Sequence, residues 1–334
     1  MKPKVCFVIP CYNEEEVLPE TISRLTAIIQ NLVSSNQISP QSTMLFVDDG
    51  SKDKTWSIIE FNHKINNYVK GLKLARNAGH QNALFAGLMK GKEIADCVIS
   101  LDADLQDDLG VLEEFIKKYT EGYEIVYGIR KSRKTDTFFK RRTALAFYKL
   151  MQTLGVNIKY NHADYRLMSK RALDYLEQFK EVNLFLRGII PLIGLKSTDV
   201  YYDRAERFAG ESKYPLKKML SFAMDGITSF SIKPIRIIST VGASLSLLSI
   251  VAAAYTIISM LLGRTASGWA SLMISLWFIG GIQLICLGLI GEYIGKIYQE
   301  TKHRPRYFLE TELLGNEVSS MSAQSEQKPE PIYR

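Results

Sequence analysis

Residues 97–108 read Cys-Val-Ile-Ser-Leu-Asp-Ala-Asp-Leu-Gln-Asp-Asp. An apolar, β-branched run from Cys97 to Leu101 gives way at Asp102 to four carboxylates within seven residues. This is the pattern of a buried strand that ends in an acidic loop. The pattern recurs along the first half of the chain. Val5–Pro10 runs into Cys11-Tyr-Asn-Glu14, and Met44–Asp49 runs into Gly50-Ser-Lys-Asp53. Gly71–Ala75 and Ile125–Gly128 are further short runs of the same kind. Helix-compatible stretches lie between them: Glu15–Leu32, Lys54–His63, Gln81–Ile94 and Leu109–Tyr119. Strand and helix in alternation predict an α/β domain, a mostly parallel Rossmann-like sheet with helices on both faces. Ligands of such sheets sit at the carboxyl ends of the strands, which is where the polar clusters fall.

Working outward, the chain divides into a domain over 1–210, a membrane-interface helix over 211–234, an apolar region over 235–296 and a polar tail over 297–334, expected to be partly disordered. The apolar region holds two runs without charge, Val241 to Leu262 and Trp269 to Ile290, so two spans are expected at about 239–262 and 269–291. Each run would measure about 33 Å as a helix, against a hydrocarbon core of about 30 Å. Lys217, Lys218, Lys233 and Arg236 precede the pair, and Lys296, Lys302, Arg304 and Arg306 follow it, whereas the connection carries only Arg264. The positive-inside rule then puts both flanks, and with them the first domain and both termini, on the cytoplasmic side. Between Lys213 and Lys233, Leu216, Met219, Leu220, Ala223, Ile227 and Phe230 recur at helical spacing opposite Lys217, Lys218 and Asp225. That pattern suits a helix lying on a membrane surface or packing on the first domain.

The net charge of +7 fits an anionic membrane face or a phosphate-bearing substrate. The basic run Arg130 to Arg142 reads as a loop near phosphates or headgroups and not as a nucleic-acid face. The four cysteines, Cys6, Cys11, Cys97 and Cys286, are scattered and form no C-x-x-C, so reduced thiols are expected. The N-terminus shows no secretory signal pattern.

Four clusters carry candidate chemistry. Pro10, Tyr12, Asn13 and Glu14 close the first strand, where Tyr12 offers a face for a base and Asn13 and Glu14 could instead cap the next helix. Asp48 and Asp49, followed by Gly50 and Ser51, suit hydrogen bonding to a base or ribose, or a turn and helix cap. Asp102 and Asp104 form a D-x-D pair of hard oxygen ligands, apt for Mg²⁺ or Mn²⁺ shared with a diphosphate, or an acidic loop that binds nothing. Asp164 and Arg166 are either a structural ion pair or a carboxylate beside a phosphate-binding guanidinium.

Taken in order, PCYNEE, VDDGSKD, LARNAGHQNAL and DADLQD resemble the family 2 glycosyltransferases with a GT-A fold. Within that family, ADYRLMSKRA, the stretch Arg207 to Tyr214, the apolar pair and IYQETKHRPRY resemble the undecaprenyl (bactoprenol) phosphate glycosyltransferases and the dolichol-phosphate mannose synthases. The likeness covers about 4–308. It implies that Pro10, Tyr12, Asn13, Glu14 and Asp49 hold the nucleoside, that Arg76 and Gln106 support the donor, and that Asp102 and Asp104 hold the metal and diphosphate. It makes Asp164 the position of the catalytic base, with Asp104 beside the reaction, and gives Arg166, Arg207 and Lys213 phosphate contacts. The base role is weakly required, because a phosphate monoester with a second pKa of about 6 is already largely dianionic near neutral pH.

The implied reaction is transfer of a sugar, with inversion, from a nucleotide-sugar donor to polyprenyl phosphate, making a lipid-linked sugar for the cell envelope. The resemblance favours UDP over GDP and glucose or N-acetylglucosamine among sugars, and no residue reports on the choice. Implied partners are the membrane, further copies of the chain (a tetramer among the forms), a separate flippase and a downstream glycosyltransferase. The sequence departs from the family at Asp108, where proline is common, and at His80, which reads as a surface polar group. An inactive nucleotide-sugar-binding membrane protein and a processive polysaccharide synthase are the alternatives. The second lacks support, because none of Trp56, Trp269 and Trp277 follows an arginine.

Overall fold

The computed structural model describes residues 2–131, 162–182, 184–203, 233–262, 268–315 and 319–320. Two compact units are distinguished. The first contains strands β1 (Val5–Cys11), β2 (Thr43–Asp48), β3 (Val69–Leu74), β4 (Cys97–Ser100), β5 (Ile125–Arg130), β6 (His162–Ser169), β7 (Ser197–Tyr202), β8 (Leu309–Leu313) and β9 (Ser319–Ser320). Its helices are α1 (Leu18–Ser34), α2 (Thr55–Ile65), α3 (His80–Ile94), α4 (Leu112–Thr120), α5 (Lys170–Glu177) and α6 (Leu186–Ile189).

Among the described residues the strands form one sheet in the order β7-β5-β6-β4-β1-β2-β3-β8-β9. The central β4-β1-β2-β3 block is parallel. The antiparallel strand β6 lies between β4 and β5, and β7 runs parallel to β5.

The period of two along β1 sorts its side chains between two helical layers. Val5, Phe7 and Ile9 share a buried cluster with Leu18, Ile22, Leu25 and Ile29 of α1. Cys6 and Val8 face α3, which lies so close to the sheet that a Cβ on Gly87 would sit 2.4 Å from Val8 Cγ1 and 2.7 Å from Val47 Cγ2. The Gly87-x₃-Gly91 spacing therefore serves close helix–sheet packing. Burial pushes the Cys6 thiol up to about 12, so it stays protonated in this layer.

The expected elements of the first half are present with shifted ends. Strand β3 begins at Val69, two residues before the expected start, and Lys70 and Lys73 interrupt its buried residues. Helix α1 begins at Leu18, not at Glu15, with Pro19 in its first turn, where the missing N–H has no helical partner to lose.

The segment after the apolar region is not wholly a polar tail, because Leu309–Leu313 returns as β8, antiparallel to β3. Leu313 is fully buried, Ala75 N–H donates to the Phe308 carbonyl at 2.9 Å, and Lys73 and Lys90 pair with Glu310 and Glu312 at 2.8 and 2.9 Å. Arg306 donates to the Phe179 carbonyl at 2.6 Å and lies 4.5 Å from the Phe85 ring.

The second unit contains α7 (Lys233–Leu261) and α8 (Trp269–Thr301), which cover the two expected spans. Among the described residues one segment, Phe278–Thr301, is long and apolar enough by length and composition to cross a membrane, with a mean hydropathy of 1.6. Leu247, Ile250, Tyr255, Leu284 and Ile285 are exposed on these helices. The interface helix expected over 211–234 lies outside the described residues apart from its last two, as do Arg207, Lys213 and the tail beyond 320.

Leu313→Ala would remove a fully buried side chain that packs between β3 and α2, at a cost of about 2–5 kcal/mol. A lowered thermal midpoint in detergent is the expected result, and an unchanged one would show that β8 contributes nothing to the core.

Candidate active site

The first two polar clusters are zipped together by bonds between side chains and backbone. Asn13, in the left-handed region at φ 53°, accepts the Lys52 N–H on Oδ1 at 2.9 Å, while its own N–H donates to Ser51 Oγ at 3.0 Å. Glu14 N–H donates to Thr55 Oγ1 at 2.9 Å, and Asp53 Oδ2 accepts from Glu15 N–H at 3.2 Å. Asn13 therefore bonds across to the β2 loop and does not cap α1, whose N-cap is Val17. Tyr12 is left with its ring partly exposed beside this junction.

Asp49 is buried, and its two oxygens accept from the N–H groups of Ala78 and Gly79 at 2.6 and 3.0 Å. It thus ties the end of β2 to the loop that leads into α3. Burial raises its carboxyl above the usual value, against the lowering effect of those two N–H groups. Gly50, at φ 65°, lets the two loops touch, since a Cβ there would lie 2.7 Å from the backbone of Arg76 and Asn77. Arg76 itself is exposed on that loop.

The acidic loop after β4 is anchored at both ends. Thr21 Oγ1 of α1 donates to the Ala103 carbonyl at 2.8 Å, and Tyr165 Oη donates to the Asp108 carbonyl at 3.1 Å. Asp107 is buried and takes the Tyr202 hydroxyl at 2.5 Å, with Arg130 at 3.5 Å. Between the anchors Leu105 is buried in the left-handed region at φ 56°, a conformation that costs a side-chain-bearing residue about 1–2 kcal/mol. Asp104 Oδ1 accepts the Gln106 N–H at 3.2 Å. Asp102 and Asp104 stay half-buried at the loop's surface.

The fourth cluster meets the third through His80, the first residue of α3. His80 Nε2 lies 3.9 Å from Asp102 Oδ1 and 3.5 Å from Asp164 Oδ2. His80 is exposed, as expected of a surface polar group, and it also stands between two carboxylates. Asp164 is buried on β6, held there as Ser100 Oγ donates to its carbonyl at 2.5 Å. Arg166 hydrogen-bonds its Oδ1, and Arg187 approaches both oxygens, Nη2 to Oδ2 at 2.9 Å and Nε to Oδ1 at 3.3 Å. Burial by itself would raise the Asp164 carboxyl, but Arg187, His80 and Arg166 together hold it well below the usual carboxylate range. Burial pushes Asp102 up to about 6, reinforced by Asp107, Asp164 and Asp104 and opposed by His80.

Arg166, expected to meet phosphate, is fully buried in this arrangement. Arg187, which the sequence reading missed, is the partly exposed arginine of the pair. It rides on the four-residue helix α6, and the only sequence signal for it was one basic side chain in an apolar stretch.

Among the described residues no three His, Cys, Asp or Glu side chains gather as a self-sufficient metal site. Two surface carboxylates do suit Mg²⁺ or Mn²⁺, which are usually held by one or two carboxylates together with substrate phosphates. Asp102 and Asp104 are therefore the residues that fit such an ion.

The sequence pattern of the family described as "Glycosyl transferase family 2" matches residues 6–176, which contain the four polar clusters and His80 but neither Arg187 nor Tyr202. The chain belongs to that family. A second pattern, "GtrB C-terminal hairpin", matches residues 233–297, the stretch of α7 and α8. The chain is 56% identical to the glycosyltransferase YkoT of Bacillus subtilis (strain 168), covering 99% of this chain and 98% of that one. It is 39% identical to the bactoprenol glucosyl transferase of Shigella phage SfV, covering 92% and 99% respectively. The solved mannosyltransferase PcManGT of Pyrobaculum calidifontis superposes with a TM-score of 0.42 at 14% identity over 88% of each chain, too distant to add to the family assignment.

The β2 loop and the loop leading into α3 meet at Gly50. Gly50→Ala forces both a left-handed alanine and a collision with backbone at 2.7 Å. The expected result is a loss of at least about 1–3 kcal/mol of stability. A wild-type midpoint in a thermal melt would show that the two loops do not need this contact.

Proposed function

We propose that this glycosyltransferase moves a hexosyl group from a nucleoside diphosphate sugar, UDP-glucose or UDP-N-acetylglucosamine, to the phosphate of a polyprenyl phosphate. The observation that carries the reading is the pairing of the Asp102/Asp104 loop with the Asp164–Arg187 ion pair, in a chain alike along its length to a bactoprenol glucosyl transferase.

In this reading Tyr12 stacks on the base, and Pro10, Asn13, Glu14 and Asp49 shape the nucleoside pocket, the last three through the loop contacts described above. Arg76 and Gln106 flank the donor. Asp102 and Asp104 hold a divalent ion, whose chemistry when bound is to neutralise the charge that builds on the departing diphosphate. An acceptor phosphate oxygen attacks the anomeric carbon, the bond from that carbon to the diphosphate oxygen breaks, and the nucleoside diphosphate leaves. A single displacement of this kind inverts the anomeric centre. No proton has to leave the acceptor first, since its phosphate is already largely dianionic near neutral pH. Arg207 and Lys213 add phosphate contacts.

The helices α7 and α8 act as a two-span hairpin in the cell membrane, with the transferase domain and both termini cytoplasmic. This orientation is supported by the basic residues on both flanks of the pair. The enzyme forms homo-oligomers and hands its lipid-linked sugar to a flippase and a downstream transferase of the cell envelope.

The test is a transfer assay with purified protein, undecaprenyl phosphate, Mg²⁺ or Mn²⁺ and labelled UDP- and GDP-sugars. Label in the lipid fraction with one donor is the expected result, and no label from any donor with folded, UDP-binding protein would overturn the reading. In the same assay Asp104→Asn should cut turnover by roughly a hundredfold or more, the scale for losing one charge stabiliser of a leaving group. Wild-type rates with an unchanged metal response would remove the metal role from Asp104.

A further inference from the structure

Resting on the acceptor reading above, we propose that Arg187 is the cation that receives the acceptor's phosphate monoester, and that Asp164 is its positioning residue and not a proton acceptor. Three features of the cluster lead there.

The first is the occupancy of Asp164. Its Oδ1 takes Arg166 and Arg187, and its Oδ2 takes Arg187 at 2.9 Å with His80 at 3.5 Å. A general base has to offer a lone pair toward the substrate's proton. Both Asp164 oxygens are already turned to cations, and a dianionic acceptor has no proton that must be removed.

The second is exposure. Two guanidiniums, Arg166 and Arg187, meet the Asp164 carboxylate. Arg166 is 0% exposed and cannot meet a substrate, whereas Arg187 is 32% exposed, so Arg187 is the guanidinium of this cluster that a substrate can reach.

The third is rigidity. The Nε and Nη2 fork of Arg187 grips the carboxylate along two directions, which fixes the plane of the guanidinium. The start of α6 is held as well, because Leu186 N–H donates to Gln81 Oε1 at 3.2 Å. Gln81 follows His80 at the head of α3, so the helix that bears Arg187 is tied to the same turn that faces Asp102. A donor near an anion does most when it is held in place before the anion arrives.

A phosphate could come from either substrate. The donor's diphosphate is matched by Asp102 and Asp104 with their cation, whereas the monoester has no metal of its own and calls for a protein cation.

The experiment uses full-length wild type, Arg187→Gln, Arg187→Lys and Asp164→Asn. Initial rates are taken with undecaprenyl phosphate varied at saturating donor, and UDP affinity is titrated separately in the presence of Mg²⁺. Arg187→Gln should raise the KM for undecaprenyl phosphate about ten- to a hundredfold, the range for losing a charged hydrogen bond, while UDP affinity stays within about twofold. Arg187→Lys should recover part of that loss. Asp164→Asn should show the same rise in acceptor KM, because it releases the arginine. An unchanged acceptor KM in Arg187→Gln overturns the proposal. So does a fall in kcat alone in Asp164→Asn, the signature of a lost base, and so does a fall in UDP affinity in both Arg187 variants. If wild type transfers nothing to undecaprenyl phosphate, the acceptor reading itself fails and takes this assignment with it. An active wild type with an indifferent Arg187 sinks the assignment alone.

Discussion

Four carboxylates, Asp102, Asp104, Asp107 and Asp164, crowd the carboxyl end of β4 and its neighbour β6, and two of them, Asp107 and Asp164, are buried. Withdrawing such charge from water costs several kcal/mol per ion unless partners compensate. The surroundings answer with Arg130 and Tyr202 at Asp107, and with Arg166, Arg187 and His80 at Asp164. The balance is uneven. Asp164 is held well below the usual carboxylate range, whereas Asp102 keeps a raised carboxyl that a divalent cation would relieve. The two carboxyls lie a single histidine apart.

That electrostatic arrangement needs loops that do not move, and the domain builds them from ordinary parts. Asp49 spends both oxygens on the backbone of the next loop, and Asn13 spends its amide oxygen in the same way. The acidic loop is fastened from three sides by Thr21, Tyr165 and Tyr202. Residues that look like ligands therefore also act as braces. A carboxylate at a strand end can shape a nucleoside pocket by holding the backbone that lines it.

The returning strand β8 extends the same logic to the far edge of the sheet. The chain leaves the first unit, passes through α7 and α8, and comes back to pair with β3. Arg306 and Glu312 then both engage α3, through Phe85 and Lys90, and α3 begins with His80. The helix that places the histidine is gripped by the segment that follows the apolar helices. The edge of β3 is also covered, which removes an open row of backbone donors and acceptors.

The parallel core was legible in the sequence because apolar runs buried on both faces carry their own signature, and two of the shifted ends fall where a lysine or a proline interrupted the pattern, at Lys70 and Pro19. The carboxylate clusters were legible too, since each lies on one short stretch of chain. Strand β8 was not, because Leu-Glu-Thr-Glu-Leu has only its last side chain buried and is polar enough to read as tail. Neither were the roles of His80 and Arg187. Each earns its place from a partner far along the chain: Asp164 lies 84 residues after His80 and 23 before Arg187. Local sequence sets which segments can be strand, helix or acidic loop, through periodicity and turn chemistry. Only the tertiary fold decides which charges meet, because ion pairing across a sheet depends on strand order and register, and no short stretch of sequence contains either.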